Sequence, residues 1–314
     1  MKFLLTIIQA VGLGCASAAA GRRVLHYLQL ESYQLPGYVK SVRRNAMRAL
    51  IPPIAMAAVG VAALRLSGLT GLALLLEALT AALLVWQAAK EKAKKPFVAT
   101  ERVKRLLAVH VAVNTVLALA LLTVSPVLGY LLPAFEPALL MLAALIAAPM
   151  EKHIAGQFIK DAQARLAAHP GLIKIGITGS YGKTSTKFLL RDILSVKYNV
   201  LATPSSFNTP MGVTRVIREQ LTPAHQVFIA EMGARHVGDI RELVELVHPQ
   251  MGLITSVGPQ HLDTFGTIER VRDTKYELIE GLPKDGTAVF ARDGAICEAL
   301  FERCPLERKY KPGM

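Results

Sequence analysis

The first residues in this chain with the types and spacing for chemistry lie between positions 176 and 186, in GITGSYGKTST. Gly182-Lys183-Thr184 completes a phosphate-loop pattern. The full G-x-x-x-x-G-K-[ST] spacing, however, requires glycine where Ile177 stands. Gly179 and Gly182 permit a tight turn with inward-facing backbone N–H groups, and a helix starting at Lys183 adds a favourable dipole. In such a loop Lys183 neutralises β/γ-phosphate charge, and Thr184 offers its hydroxyl to Mg²⁺. The alternative is an ordinary strand-to-helix turn with a solvent-facing lysine.

Other polar residues stand at comparable places. Glu231 closes the apolar run QVFIAEMG; beside a phosphate loop it reads as a Mg²⁺ ligand, and elsewhere as a core-edge carboxylate. His261 follows a strand and a turn in SVGPQHLDTFG, where a surface histidine is the alternative. Lys275, in RDTKYELI, falls within a helix, where a lysine is ordinarily solvated. Cys15, Cys297 and Cys304 have neither zinc-site spacing nor a disulfide framework and read as free thiols. Cys15 follows VGLG, faintly like a lipoprotein processing site, but a small residue packed in a helix is the preferred reading.

The elements that must position these groups are legible from residue 151 onward. Residues 151–168 are polar-patterned and helical, and His169-Pro170-Gly171 ends them. LIKIGITG then reads as a strand, SYGKTST as a loop and KFLLRDILSVK as an amphipathic helix. Further strand–helix units follow: QVFIAEMG with VGDIRELVELV, MGLITSVG with TIERVRDTKYELIEGL, then the strand GTAVFARDG. Alternation of this kind predicts an α/β phosphate-loop domain with a mainly parallel sheet. Its ligands bind beyond the carboxyl ends of the strands, where the polar residues fall.

The first half differs in kind. Of the 314 residues 52% are hydrophobic, and the net charge is +13. Five apolar segments, 3–20, 49–66, 69–89, 106–124 and 127–149, are each close to the length a membrane-crossing helix needs. Glu77 and Glu136 are the acidic residues inside them; Glu77 reads as a functional carboxylate, a partner for a neighbouring helix or an interfacial group. Two basic runs separate the segments. Residues 21–48 hold six Lys/Arg against one Glu, and residues 90–105 hold seven against two. This pattern predicts cytoplasmic loops in contact with a lipid bilayer, rather than nucleic-acid binding. The expected topology is multi-pass in the cell membrane, with hairpins 49–89 and 106–149 and the chain emerging on the cytoplasmic side at Glu151. The first segment has the alternatives of a cleaved signal sequence or an interfacial helix. The expected organisation is an all-α transmembrane region over 1–150, a linker helix over 151–171 and a nucleotide domain over 172–314.

From Ile173 to about Gly294 the chain resembles the central ATPase domain of the Mur ligases, which build the peptidoglycan stem peptide. Within them it is most similar to the type that adds D-alanyl-D-alanine. GITGSYGKTSTK, LATPSSFNTPMGV, FIAEMGARHVGDI, LITSVGPQHLDTFG and TKYELIEGLPKDGTAVF carry the resemblance. The family's loop is G-x-x-G-K-[ST], which accounts for Ile177. By this resemblance Gly179, Ser180, Gly182, Lys183, Thr184 and Ser185 hold ATP, with Asn208 and Thr209 near the γ-phosphate and metal. Thr184 and Glu231 hold Mg²⁺, and His261 joins a second metal site served by Lys275 as a carbamylated lysine. Lys183, His261 and Lys275 are thereby the implied catalytic residues.

The implied reaction is ATP-dependent amide formation between a muropeptide carboxylate and a D-alanyl-D-alanine-like amine, through an acyl phosphate. Departures from the family are the helical N-terminal region in place of the UDP-sugar domain, Ser256 in place of a frequent asparagine, and an end at Met314 ahead of the third domain. A partner chain supplying that domain is one expectation, and a fragment of a longer product another. A non-catalytic nucleotide-binding or scaffolding protein is the alternative function, and an ATP-driven transporter a lesser one.

Overall fold

The computed structural model describes residues 2–91, 96–205 and 207–312. Lys92, Lys94 and Lys95 of the second basic run, Ser206 of LATPSSFNTPMGV and the final Gly313-Met314 lie outside the described residues. The chain divides into two compact units, Met1–Lys152 and His153–Met314.

The first unit is all helical: α1 (Lys2–Ala20), α2 (Arg22–Leu30), α3 (Leu35–Arg44), α4 (Ala46–Ser67), α5 (Thr70–Lys90), α6 (Glu101–Val124), α7 (Pro126–Tyr130), a 3₁₀ turn (Leu132–Phe135) and the start of α8 (Glu136–Ala167). Among the described residues, five helical segments are long and apolar enough to cross a membrane by length and composition. Two features differ from the sequence expectation. The first basic run is not an irregular loop but folds into α2 and α3, each with a strong apolar face. The fifth segment is broken around Leu131. Pro126 and Pro133 each sit in the first turn of a short helix, where a missing N–H costs nothing. From Glu136 one helix then runs through Pro149 to Ala167, taking in the stretch read as a separate linker helix.

The acidic residues of the apolar segments are fully buried. Glu136 accepts a 2.5 Å hydrogen bond from Ser17 Oγ of α1, and its other oxygen lies 3.0 Å from His110 Nε2 of α6. Glu77 on α5 has no hydrogen-bond partner among the described residues. Near the other end of α6, Arg105 makes a bidentate pair with Glu151 at 2.7 and 2.9 Å.

The second unit carries β1 (Ile173–Thr178), α9 (Lys183–Leu194), β2 (Val200–Ala202), α10 (Pro210–Gln220), β3 (Val227–Glu231), α11 (Asp239–Val247), β4 (Met251–Ile254), α12 (Leu262–Phe265), α13 (Ile268–Glu280), β5 (Thr287–Phe290), α14 (Gly294–Arg303) and β6 (Arg308–Tyr310). The strands form one parallel sheet in the order β2-β3-β1-β4-β5-β6. Alternate residues of β1 and β3 serve opposite faces, as the two-residue strand period requires. Ile175, Ile177, Val227 and Ile229 pack with Leu190 and Leu194 of α9. Phe228 and Ala230 join the larger core with Ile240, Leu243 and Leu278.

Chain order reverses at β1, which lies between β3 and β4, so a ligand crevice is expected beyond its carboxyl end. The short β6, in a stretch with no strand signal of its own, exists because β5 offers it a parallel edge.

Candidate functional site

The loop after β1 is a strained turn held from outside. Gly179 has φ +151°, and a Cβ there would fall 2.1 Å from Thr255 Oγ1 and 2.9 Å from the Ser256 amide nitrogen. The following segment of β4 is therefore pressed against the loop. Ser180 N–H donates to Ser256 O at 2.8 Å, and Tyr181 N–H donates to Ser256 Oγ at 2.7 Å. Thr255 Oγ1 donates to Tyr181 O at 2.6 Å, while Ser180 Oγ and Gly258 exchange bonds at 2.9 and 3.0 Å.

The amides of Ser180 and Tyr181 thus serve the neighbouring strand end. The amides of the first turn of α9 have no intrahelical partners. Lys183 Nζ folds over the loop, donating to Gly179 O at 2.7 Å and Ser180 O at 3.3 Å. Burial pushes its amine below the ordinary lysine value, partly opposed by the charge of Glu231.

Glu231, at the carboxyl end of β3, is the centre of the arrangement. Thr184 Oγ1 donates toward its carboxylate at 3.0 and 3.2 Å, and Asn208 Nδ2 donates at 3.3 Å. Lys187 Nζ reaches the same carboxylate at 2.8 Å and Pro204 O at 3.3 Å. The Glu231 amide donates to Thr203 Oγ1 at 3.0 Å. Burial raises the Glu231 carboxyl, but the hydrogen bond and charge of Lys187, with Thr184 and Asn208, outweigh it and hold the group below its ordinary value.

Thr209, adjacent to Asn208, spends its hydroxyl capping α10 through Gly212 N–H at 3.3 Å. Ser185 points outward and is exposed. Lys187 belongs to this cluster although the sequence reading passed over it, and it closes the quoted GITGSYGKTSTK. It is the one fully buried residue of α9, and a lysine at that place is the available signal.

His261 and Lys275 lie near enough to each other to interact through charge. His261 caps α12 with φ +55°, a left-handed conformation uncommon for a side-chain-bearing residue. Burial and the positive charges of Arg235 and Lys275 lower its imidazole pKa, against Asp263. Lys275 on α13 is 1% exposed, not solvated. Burial lowers its amine to about 8, helped by the charge of Lys183 and opposed by Asp239 and Glu277. Glu277 ties this helix to the start of α11 by accepting from Gly238 and Arg241 N–H at 3.0 and 2.9 Å.

A pH prediction follows from Lys275. With its folded pKa near 8 and an ordinary value of 10.5, the folded state binds fewer protons between these limits. Stability therefore rises with pH across that window, and the burial penalty is fully present below pH 8. Lys275→Met, in CO₂-free buffer, is expected to stabilise the second unit by roughly 3 kcal/mol at pH 7, with the gap closing toward pH 10.5. Pulse proteolysis in urea across this pH range measures it.

Part of this chain is similar to known proteins. Residues 177–309 match the Mur ligase middle domain. The UDP-N-acetylmuramoyl-tripeptide–D-alanyl-D-alanine ligase of Mycobacterium tuberculosis (strain H37Rv) is 40% identical over 130 residues, 41% of this chain and 25% of that protein. The ligase of the same name from Synechocystis sp. is 39% identical over 129 residues, 41% of this chain and 28% of that protein. A crystal structure of MurF from Acinetobacter baumannii aligns with 27% identity and a TM-score of 0.48, covering 50% of this chain and 34% of that one. The chain spans about a quarter of the length of these curated relatives.

The arrangement of Thr184 and Glu231 passes a chemical test for magnesium. Among the described residues no group of three or more His, Cys, Asp or Glu gathers to cage a metal. A single hydroxyl beside a single carboxylate, Thr184 and Glu231, is nevertheless what Mg²⁺ uses when nucleotide phosphates and water complete its octahedron. The residues fit the ion in that role.

Proposed function

We propose that this chain is the membrane-anchored, nucleotide-binding part of an ATP-dependent carboxylate–amine ligase of peptidoglycan precursor synthesis. One observation carries the reading: Thr184 of the phosphate loop meets Glu231 from a different strand at 3.0 Å, directly after Lys183, at the switch point of a parallel sheet. The match to the Mur ligase middle domain supports the same reading. The five long apolar helices and the basic runs between them support a bilayer location, with this domain on the cytoplasmic side where ATP is available.

Lys183 would leave the carbonyls of its own loop and lie along the β/γ-phosphates, while the first-turn amides of α9 receive a phosphate oxygen. Thr184 and Glu231 would hold Mg²⁺, which when bound offsets charge between two anions. A muropeptide carboxylate oxygen attacks the γ-phosphorus, the bond to the β-bridging oxygen breaks, and ADP leaves. The amine nitrogen of a D-alanyl-D-alanine-like acceptor then attacks the acyl carbon. Phosphate departs, the nitrogen loses a proton and an amide remains. Lys275, whose lowered pKa leaves a neutral fraction at physiological pH, is suited to attack CO₂, forming a carbamate and releasing a proton. As a carbamate it would face His261 with a negative charge.

The test supplies the full chain in detergent, together with the relatives' C-terminal domain, with ATP, a UDP-muropeptide and D-alanyl-D-alanine. ADP release is expected only with both substrates present, with the amide product visible by mass spectrometry. ATP hydrolysis indifferent to both, and unchanged in Lys183→Ala, would sink the reading.

A further inference from the structure

The carboxylate proposed above to meet a divalent cation already has a cation. Lys187 is wholly buried, and its ammonium is held 2.8 Å from Glu231 Oε2 and 3.3 Å from Pro204 O. Phe188 lies under it, with the ring centroid 4.6 Å away. Lys183 lies near enough to feel the charge of Glu231, while its ammonium bonds Gly179 O and Ser180 O. One ammonium thus pairs directly with this carboxylate, and Thr184 and Asn208 occupy its remaining hydrogen-bonding directions.

A carboxylate already neutralised by a buried ammonium offers a free divalent ion little net attraction. Unlike charges a few ångströms apart in a protein interior interact strongly, so the ion cannot displace Lys187 cheaply. Nucleotide phosphates change the sign of the field by adding several negative charges beside Lys183.

We propose that Lys187 is a positioning residue that neutralises and orients Glu231 in the nucleotide-free protein, so that divalent metal enters only with nucleotide. The proposal rests on the nucleotide-binding reading above. It gives Lys187 a role that a structural lysine would not have, because removing it should increase metal affinity. A helix lysine that merely supports the fold would weaken every property of the site when lost.

The experiment uses the full chain in detergent and CO₂-free buffer, with Mn²⁺ as probe and free Mn²⁺ read by electron paramagnetic resonance. Wild type is expected to bind Mn²⁺ negligibly alone at 100 µM-order concentrations (roughly the range where an isolated carboxylate is weak) and to bind β,γ-imido-ATP when Mn²⁺ is present. Lys187→Met is expected to bind Mn²⁺ without nucleotide at least about tenfold more tightly than wild type. Lys187→Arg should behave as wild type, and the pair Lys187→Met with Glu231→Gln should lose the gain.

An unchanged or weakened Mn²⁺ affinity in folded Lys187→Met overturns the proposal. If that variant does not fold, wild type against Glu231→Gln decides it. Nucleotide-free Mn²⁺ binding by wild type that disappears in Glu231→Gln overturns it, and its absence supports it. Failure of wild type to bind β,γ-imido-ATP with any divalent ion instead removes the nucleotide reading itself, and the proposal with it.

Discussion

Lys183→Ala is expected to lower acceptor-dependent ATP turnover by roughly 10²–10³-fold, the usual cost of removing one preorganised charge from a transition state. The basis is positional. Lys183 is the first residue of α9, its ammonium already lies over the loop within 2.7 Å of Gly179 O, and burial has lowered its pKa. A poorly hydrated ammonium loses less solvation on meeting phosphate than an exposed one. Nucleotide affinity should fall along with the rate, since the same charge serves bound ATP and the transition state. Stability should hold, because Lys183 bonds only carbonyls of its own loop among the described residues. Turnover assays with nucleotide titration calorimetry check both halves, and an equal loss in Ser185→Ala, whose side chain is exposed, would contradict this assignment.

Glu231→Ala carries the second large effect, on stability. It leaves the Lys187 ammonium buried with only Pro204 O as a hydrogen-bond acceptor. Breaking a buried pair by removing one partner costs about 3–5 kcal/mol, because the surviving charge is neither solvated nor paired. Lys187→Met should cost a similar amount for the opposite reason. The double variant should recover most of the loss, since two apolar side chains leave no orphan charge behind. The cycle therefore yields a large coupling energy. Hydrogen exchange on peptides covering β1 and β3 is the suitable readout. The single tryptophan is Trp86 on α5, in the other unit, and does not report on this one. Additive losses in the double variant would show that the pair is not coupled.

Much of this protein is legible from sequence for one physical reason: periodicity and spacing are local. The apolar runs of the first half, the strand–loop–helix at 173–194 and the alternation that follows are set by neighbours within a turn or two. Five helices long and apolar enough to cross a membrane, and a sheet with every pairing parallel, agree with that reading. The loop at Gly179–Thr184 is legible in the same way, whereas the absence of glycine at Ile177 is accounted for only by the family resemblance. The short strand β6 was not, because three residues ending a polar tail become a strand only where an open edge receives them.

The candidate site itself lies at the other extreme. Lys187 and Glu231 are 44 residues apart, Tyr181 and Ser256 are 75 apart, and Ser17 and Glu136 are 119 apart. A lysine four positions after Lys183 on a helix reads as solvated, and only the packing of α9 on the sheet makes it the buried partner of a carboxylate. The loop amides read as free, and only the close approach of β4's end at Gly179 takes two of them away. By itself the sequence determined which residues were available for phosphate chemistry and the elements that carry them. Which charges are buried together, and which donors remain free, was decided by tertiary structure alone. Burial is a property of what packs against a residue, and no local pattern contains it.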